Sequence, residues 1–422
     1  MPKFAHFSDV HLGFQKTQAL KKIEKNVFQS AVSECVAREV DFVIISGDLF
    51  HVNIPEMEVN VFAFEQLRSL KEAGIPVYAV YGSHDFSPVS KSIIDLLEAA
   101  GLVTKVTRQL ESQNGSIRLG FLSDPKTGAK IVGLPGLKAG KDMAYYEQLD
   151  RASLESEPGF KIFVFHGGLD EAKTRTTPET DFMPLSLLPK KFDYYAGGHM
   201  HSFVHQKYQD YPHVVYPGTL FAGYHSDLEE NAKGQKRGFV LVDFSESVNK
   251  IEFIEVKNAE YEILEINAEN RDAKSVNSEL LQKAKSMEPQ GKIIIIKLVG
   301  RLSTGKTTDI DTSLLREMLV SGGAIEVKIS KNNLFSREYD ISAAKGQSRD
   351  EIETNIFKEN IGQFRLKQGE LSGDKGVLLA KKLLKELEQP ILANEKKAEY
   401  LARIKKNTME ILGLQLDDSQ LN

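Results

Sequence analysis

One cysteine, Cys35, stands in 422 residues, so no intramolecular disulfide can form, and such sparing use fits a reducing cytosol. Its place in an amphipathic pattern marks it as a buried structural residue. No apolar run approaches the ~20 residues that a membrane span needs. The chain also opens directly on a strand, so neither insertion nor secretion is expected. Positive charge is not in excess either, the formal net charge being −5. That balance does not advertise a nucleic-acid binder, yet it does not exclude one, because local charge and bound divalent cations decide the field at a site.

What is present is enough apolar sequence for two or three domains. Lys3 to Phe7 is a short strand, and residues 19–40 have helical periodicity with Leu20, Ile23, Val27, Phe28, Ala31, Val32 and Cys35 on one face. The run Phe42 to Ile45 reads as a strand buried on both faces. A helix follows over 56–73, apolar most of the way round, so either both faces pack internally or one meets another subunit. A further strand at Pro76 to Val80 and a helix at 92–100 come next. Strand signals then dominate from 103 to 244, which suggests a two-sheet α/β sandwich. The pattern resets near 245–258. A small α+β domain is expected over 258–345, and a polar helical tail over 349–422, where two amphipathic helices, near 375–388 and 394–412, flank Pro390. Apolar stripes on such helices suit docking on a partner.

Five strands end alike, each apolar run giving way to Asp, His or Gly: FSDVHLG (7–13), SGDLFH (46–51), GSHD (82–85), FHGG (165–168) and GGHMH (197–201). In the pairs Asp9/His11 and His199/His201 the residues are two apart, so on extended chain they project to one side. Carboxylates at the ends of parallel strands face the crevice where open α/β sheets keep their sites. Hard oxygens mixed with imidazoles suit Mn²⁺, Fe or Zn²⁺. Two such ions ~3.5–4 Å apart clamp the attacking and leaving oxygens of a phosphoryl displacement, and they need one shared carboxylate. Asp48 is the expected bridge.

The series D-x-H, GD, G-[NS]-H-D, H-G, G-H-x-H resembles that of the calcineurin-like metallophosphoesterases, a two-sheet sandwich with helices outside. With GDLFH and the C-terminal layout, the chain resembles, over its whole length, the Mre-eleven/SbcD family of DNA double-strand-break repair nucleases. The resemblance implies domains at 1–250 (nuclease), 258–345 (capping) and 349–422 (helical tail). It assigns one metal to Asp9, His11, Asp48 and His201, and a second to Asp48, His166, His199 and position 83. His84 corresponds to the catalytic histidine on the leaving-group side, and His51 to a histidine that positions the phosphate or His84, although a merely structural His51 stays open. The implied cofactors are two divalent ions, Mn²⁺ above all. The implied partners are DNA, a Rad-fifty/SbcC-type coiled-coil ATPase bound by the C-terminal helices, and a second copy paired through helices 56–73 and 92–100, with a cytoplasmic, nucleoid-associated location. The implied activities are 3′-to-5′ exonuclease on duplex ends and endonuclease on single strands. Position 83 departs from the pattern: Ser83 stands where Asn is usual, and a hydroxyl is a shorter, weaker ligand, so weaker binding of the second ion is expected.

Other features receive plainer readings. His6 points into the sheet, and His205, His213 and His225 are structural or exposed. Tyr216 to Thr219 resembles the family's loop beside the metals, and Lys138 and Lys141 are candidate phosphate contacts. Gly300 to Thr307 fits the P-loop expression, but a P-loop needs a helix starting at Lys306. Helical pattern begins only near Thr312, so no nucleotide site is expected. Two other functions remain open: a phosphoesterase for small substrates, and a DNA-end scaffold with little catalysis.

Overall fold

The structure, a computed structural model, describes residues 1–87, 91–110, 116–137, 142–173, 182–337, 348–362, 371–390, 392, 395 and 397–413. Lys138 and Lys141 lie outside the described residues. The chain divides into two compact units, Met1–Glu262 with Gly291–Ile293, and Ile263–Gln290 with Ile294–Asn422.

The first unit is a sandwich of two six-stranded sheets. In one, Lys3–Phe7, Phe42–Ser46, Val77–Val80 and Thr104–Lys105 run parallel, and Gly238–Phe244 and Val248–Glu255 close the far side antiparallel. In the other, Tyr211–Tyr216, Tyr194–Gly198, Lys161–His166 and Lys130–Leu134 run parallel between two antiparallel edges. Alternation along the strands explains why they stack. Phe4, Phe42, Ile44, Tyr78 and Val80 meet Ile131, Ile162, Val164, Tyr194 and Ala196 in one apolar layer. Phe163 and Phe165, on the opposite face, pack with Tyr146, Leu154, Phe192 and Tyr216 in another. Helices Gln18–Ala37 and Met57–Glu72 pack on each other, the second also on Val77–Val80. They connect the parallel strands as right-handed crossover logic requires. Cys35 is buried, and burial pushes its thiol up, out of the reactive range.

A polar thread crosses the apolar layer. The Tyr194 hydroxyl donates to His6 Nδ1 (3.0 Å), His6 Nε2 donates to the Ser46 hydroxyl (2.8 Å), and Ser46 donates to the Gly197 carbonyl (2.9 Å). Both sheets contribute to it. Burial lowers His6 to about 3, so the ring is neutral and each nitrogen has one role. The thread ties the C-terminal ends of Phe42–Ser46 and Tyr194–Gly198 together, and there only glycine fits: a Cβ on Gly198 would stand 1.9 Å from the Ser46 carbonyl oxygen.

The second unit has a three-stranded sheet of Glu260–Asn267, Lys292–Leu302 and Glu326–Ser336. Ile294, Ile296 and Leu298 pack there against Val276 and Leu280 of Ala273–Lys285 and Leu315 and Leu319 of Thr312–Ser321. The first helix starts at Ala273 because Asp272 caps it, its carboxylate accepting from Ser275 N–H. The strand from Lys292 runs on through Gly300, Arg301 and Leu302, and Thr307–Asp309 is a single 3₁₀ turn, so no helix begins at Lys306. Helices Arg349–Gly362, Gly373–Leu387 and Lys397–Ile411 follow, the middle one packing on both others. No described helix is long and apolar enough to cross a membrane.

The inner layer sets the position of the strand that ends at Asp48. Ile44→Ala, which empties a fully buried site in that layer, is expected to cost about 2–5 kcal/mol in an equilibrium denaturant melt.

Candidate metal centre

Parallel pairing sets Phe7 beside Ile45, Ser46 beside Val80, and Gly198 beside His166, so the strand ends of each sheet share one edge. The loops leaving that edge turn at once. Asp9, His11, Asp48 and His199 all have left-handed backbone, φ of 49°, 50°, 51° and 95°. Asp and His tolerate that region better than most residues, yet it carries strain, and strain of this kind gathers at functional sites.

Two clusters result, Asp9–Asp48–His166 and Asp9–His11–His201, each with ligand atoms close enough to share an ion. Asp48 Oδ2 lies 3.2 Å from His166 Nε2 and 3.9 Å from His11 Nε2, so it stands between them. Asp9 Oδ1 lies 3.9 Å from both His11 Nε2 and His201 Nε2. His11 Nε2 and His201 Nε2 are 3.2 Å apart. A third group, His11, His51 and His84, borders the first two.

The tautomers follow from the partners. His166 donates from Nδ1 to the Ser46 carbonyl (2.9 Å), and His201 from Nδ1 to Asp227 Oδ2 (2.9 Å). Both rings therefore turn Nε2 toward Asp9 and Asp48, with a lone pair there once that nitrogen gives up its proton. His166 Nε2 is buried without a hydrogen-bond partner although a carboxylate oxygen stands in front of it. Two acceptors so placed repel unless positive charge lies between them, and a proton or a cation satisfies that demand. The titration behaviour agrees. Burial works against a charged His166, but Asp48 and Asp9 overturn it and raise the ring to about 10. Burial likewise pushes Asp48 up, and the charges of His166, His11 and His84 hold it below the usual carboxylate range. The donor set, two carboxylates and several imidazoles, fits divalent ions of the Mn²⁺ and Zn²⁺ type.

His199 and Ser83 lie outside these clusters. The His199 N–H donates to both Asp9 oxygens (2.9 and 3.1 Å), and its ring stands edge-on to His166 at 5.5 Å. Burial lowers His199 to about 4, the His166 charge adding to it, so its ring is neutral near pH 7. Ser83 is half-buried on the 82–85 turn. His84 sits across from His11, centroids 5.0 Å apart, and its N–H donates to Asp48 Oδ1 (2.8 Å). Its Nδ1 donates to the His51 carbonyl (2.8 Å), and the His51 ring stacks on it at 4.8 Å.

Several residues that hold the site escape a reading of the sequence. Asp85, fully buried, accepts from the N–H groups of Leu49 (3.2 Å), Phe50 (2.9 Å) and Gly82 (3.2 Å), which clamps the Asp48 and His84 loops together. Burial, with Asp48 adding to it, raises its carboxyl to about 7. Gly82 lets the loops touch: a Cβ there would stand 2.0 Å from Asp48 Oδ1. Glu24, from helix Gln18–Ala37, accepts from Gly13 (2.9 Å) and Gln15 (3.2 Å) N–H and pins the loop after His11. Asp227 holds His201, and buried Arg237 donates to the carbonyls of His201 and Asp227. Asp85 is visible within GSHD. Nothing in sequence spacing marks Asp227 or Arg237. The loop at Tyr216 to Thr219 does lie here: Ser8 donates to the Gly218 carbonyl (3.3 Å) and Thr219 N–H to the His201 carbonyl (3.1 Å). His205 and His213 pair with each other (3.1 Å) across the antiparallel strands Val204–Tyr208 and Tyr211–Tyr216.

Residues 2–203 match the family model of calcineurin-like phosphoesterases. The DNA double-strand break repair protein Mre11 of Archaeoglobus fulgidus is 25% identical over 398 residues, covering 87% of this chain and 86% of that protein. The protein of the same name from Methanococcus maripaludis is 26% identical, covering 82% and 93%. That from Sulfolobus acidocaldarius is 27% identical, covering 78% and 82%.

If a cation settles between Asp48 and His166, it must expel the proton that His166 otherwise holds up to about 10. Ligand binding by a deprotonated ring then makes apparent metal affinity climb about tenfold or more per pH unit from about pH 6 to about pH 9. Calorimetry in buffers of different ionisation enthalpy checks this, and a pH-independent affinity would remove His166 from the ligand set.

Proposed function

Because the chain belongs to the Mre11 family of calcineurin-like phosphoesterases, a group of metal-dependent hydrolases, we propose that it is a DNA nuclease of double-strand-break repair. The observation that carries this reading is the convergence of Asp9, Asp48 and His166, with Asp9, His11 and His201 beside them, Asp48 Oδ2 and His166 Nε2 standing 3.2 Å apart. On this reading Asp9, His11, Asp48 and His201 hold one divalent ion, and Asp48, His166, His199 and Ser83 hold the other, with Mn²⁺ the preferred metal. Two such ions, when bound, supply Lewis-acid activation of water and of the scissile phosphate.

The chain's own residues do the rest. Asp48 and Asp9 fix the spacing of the ligand atoms, while Asp227 and the Ser46 carbonyl fix the rings of His201 and His166. His84, anchored through Nδ1 on the His51 carbonyl, keeps Nε2 for the leaving 3′ oxygen. As the bond between phosphorus and that oxygen breaks and the water oxygen bonds to phosphorus, a proton from His84 Nε2 neutralises the departing alkoxide. His51 backs the His84 ring by stacking.

The separate α+β unit and the helical tail favour a polymeric substrate and a partner over a small phosphoester, which needs neither. Ile356, Leu378, Leu387 and Leu401 are exposed on the tail helices, a surface suited to the coiled-coil ATPase of the Rad-fifty type. Met57, Val61 and Leu96 are exposed beside Phe64 and Leu102 in one groove between helices Met57–Glu72 and Ile93–Ala99. An apolar patch of that kind suits pairing with a second copy.

The test offers purified protein recessed duplexes, circular single-stranded DNA and bis-p-nitrophenyl phosphate in parallel, with Mn²⁺ or EDTA. Both DNAs should be cut only with metal, and His84→Ala should slow this by roughly 10²–10⁴. Cleavage of the small diester alone would favour a small-substrate phosphoesterase, and DNA binding without cleavage a scaffold. Ser83→Asn should tighten the weaker metal step in a Mn²⁺ titration by roughly 10–100-fold, and equal affinities would exclude Ser83 from the second set.

A further inference from the structure

Tyr224 is not accounted for by any role given so far. It precedes helix His225–Ala232, and its side chain is 42% exposed, high for a tyrosine beside a buried polar cluster. The ring lies flat on the imidazole of His201, centroids 5.3 Å apart and planes within 9°. Phe14 meets it edge-on at 5.8 Å. Its hydroxyl is 3.1 Å from His84 Nε2. Its backbone N–H donates (2.7 Å) to Asp227 Oδ2, the same oxygen that receives His201 Nδ1–H and the Gly223 N–H. One carboxylate oxygen therefore locates both a proposed metal ligand and this tyrosine.

His84 has only one nitrogen to offer, because Nδ1 is spent on the His51 carbonyl. The group facing Nε2 controls where that nitrogen points. A phenol hydroxyl both donates and accepts. It can donate to the Nε2 lone pair of neutral imidazole and accept from Nε2–H of the imidazolium, so the ring keeps one orientation in both states. Stacking on His201 in turn keeps the phenol from swinging away.

We infer that Tyr224 is a positioning residue for the leaving-group side of phosphodiester hydrolysis: its hydroxyl holds His84 Nε2 in place, and its ring closes the outer wall of the site over His201. This rests on the phosphodiesterase reading above. The consequence is selective. A DNA sugar leaves as an alkoxide that needs the His84 proton, whereas p-nitrophenolate leaves without one.

Wild type, Tyr224→Phe, His84→Ala and the double variant are compared with Mn²⁺ on an oligonucleotide and on bis-p-nitrophenyl phosphate. Tyr224→Phe should lower kcat on the oligonucleotide roughly tenfold, with KM and Mn²⁺ affinity little changed, and should scarcely affect the nitrophenyl diester. In the His84→Ala background it should cost nothing more. Equal losses on both substrates, or wild-type kcat on the oligonucleotide, would overturn the inference. A readout without substrate separates this from failure of the nuclease reading: the imidazole ¹⁵N spectrum of His84 should shift at Nε2 in Tyr224→Phe. An unchanged spectrum overturns the contact, even in a protein that cuts no diester.

Discussion

Everything at this centre depends on a carboxylate and an imidazole nitrogen held face to face across the two sheets. Asp48 Oδ2 and His166 Nε2 belong to different sheets and stand 3.2 Å apart, with His166 Nδ1–H donated to the Ser46 carbonyl. A positive charge between them, the proton that His166 holds up to about 10, satisfies both. The sheets stay together at this edge because Ser46 is fastened twice across the sandwich, through its carbonyl to His166 and through its hydroxyl to Gly197. The sheets' common core then does for the site what no loop could do alone. It fixes a gap that only positive charge fills.

The strained backbone belongs to the same logic. A strand delivers its last side chain alternately up or down, and neither direction points along the edge. Left-handed φ at Asp9, His11 and Asp48 re-aims these side chains inward over the strand ends. Each of the two re-aimed loops is then held by a buried carboxylate that takes backbone N–H groups: Glu24 for the one carrying Asp9 and His11, Asp85 for the one carrying Asp48, which it also ties to Gly82. A carboxylate suits this work because its oxygens accept several N–H groups at once. The cost of burying it is visible in Asp85, raised to about 7.

Much of this was legible in the sequence because it is local. Short apolar runs ending in Gly, Asp and His identify strands and their chemistry together, so the five segments from FSDVHLG to GGHMH could be read before any packing was known. Parallel pairing then had little freedom but to bring their ends to one edge. What could not be read is what acts across space. Asp227 lies 26 residues from His201, and no spacing rule connects them. Ser46 stood in the segment SGDLFH with no role of its own, although it carries the contact between the sheets. The stretch Gly300 to Thr307 shows the converse, a short motif whose backbone context denies it, since the strand continues through its first three residues.

The two proposed ions would not be equivalent, and the reason lies behind the ligands. His201 is backed by the carboxylate of Asp227, which makes its Nε2 the more electron-rich donor, whereas His166 is backed by a neutral carbonyl. The His201 side also has His11 at 3.2 Å already in place, while the His166 side relies on His199, turned edge-on at 5.5 Å, and on Ser83. Ligands already gathered lose less freedom on binding than ligands that must still turn inward. The first cation would therefore settle beside His201. On the proposed assignment the His166 side, completed only by His199 and Ser83, would be the weaker of the two.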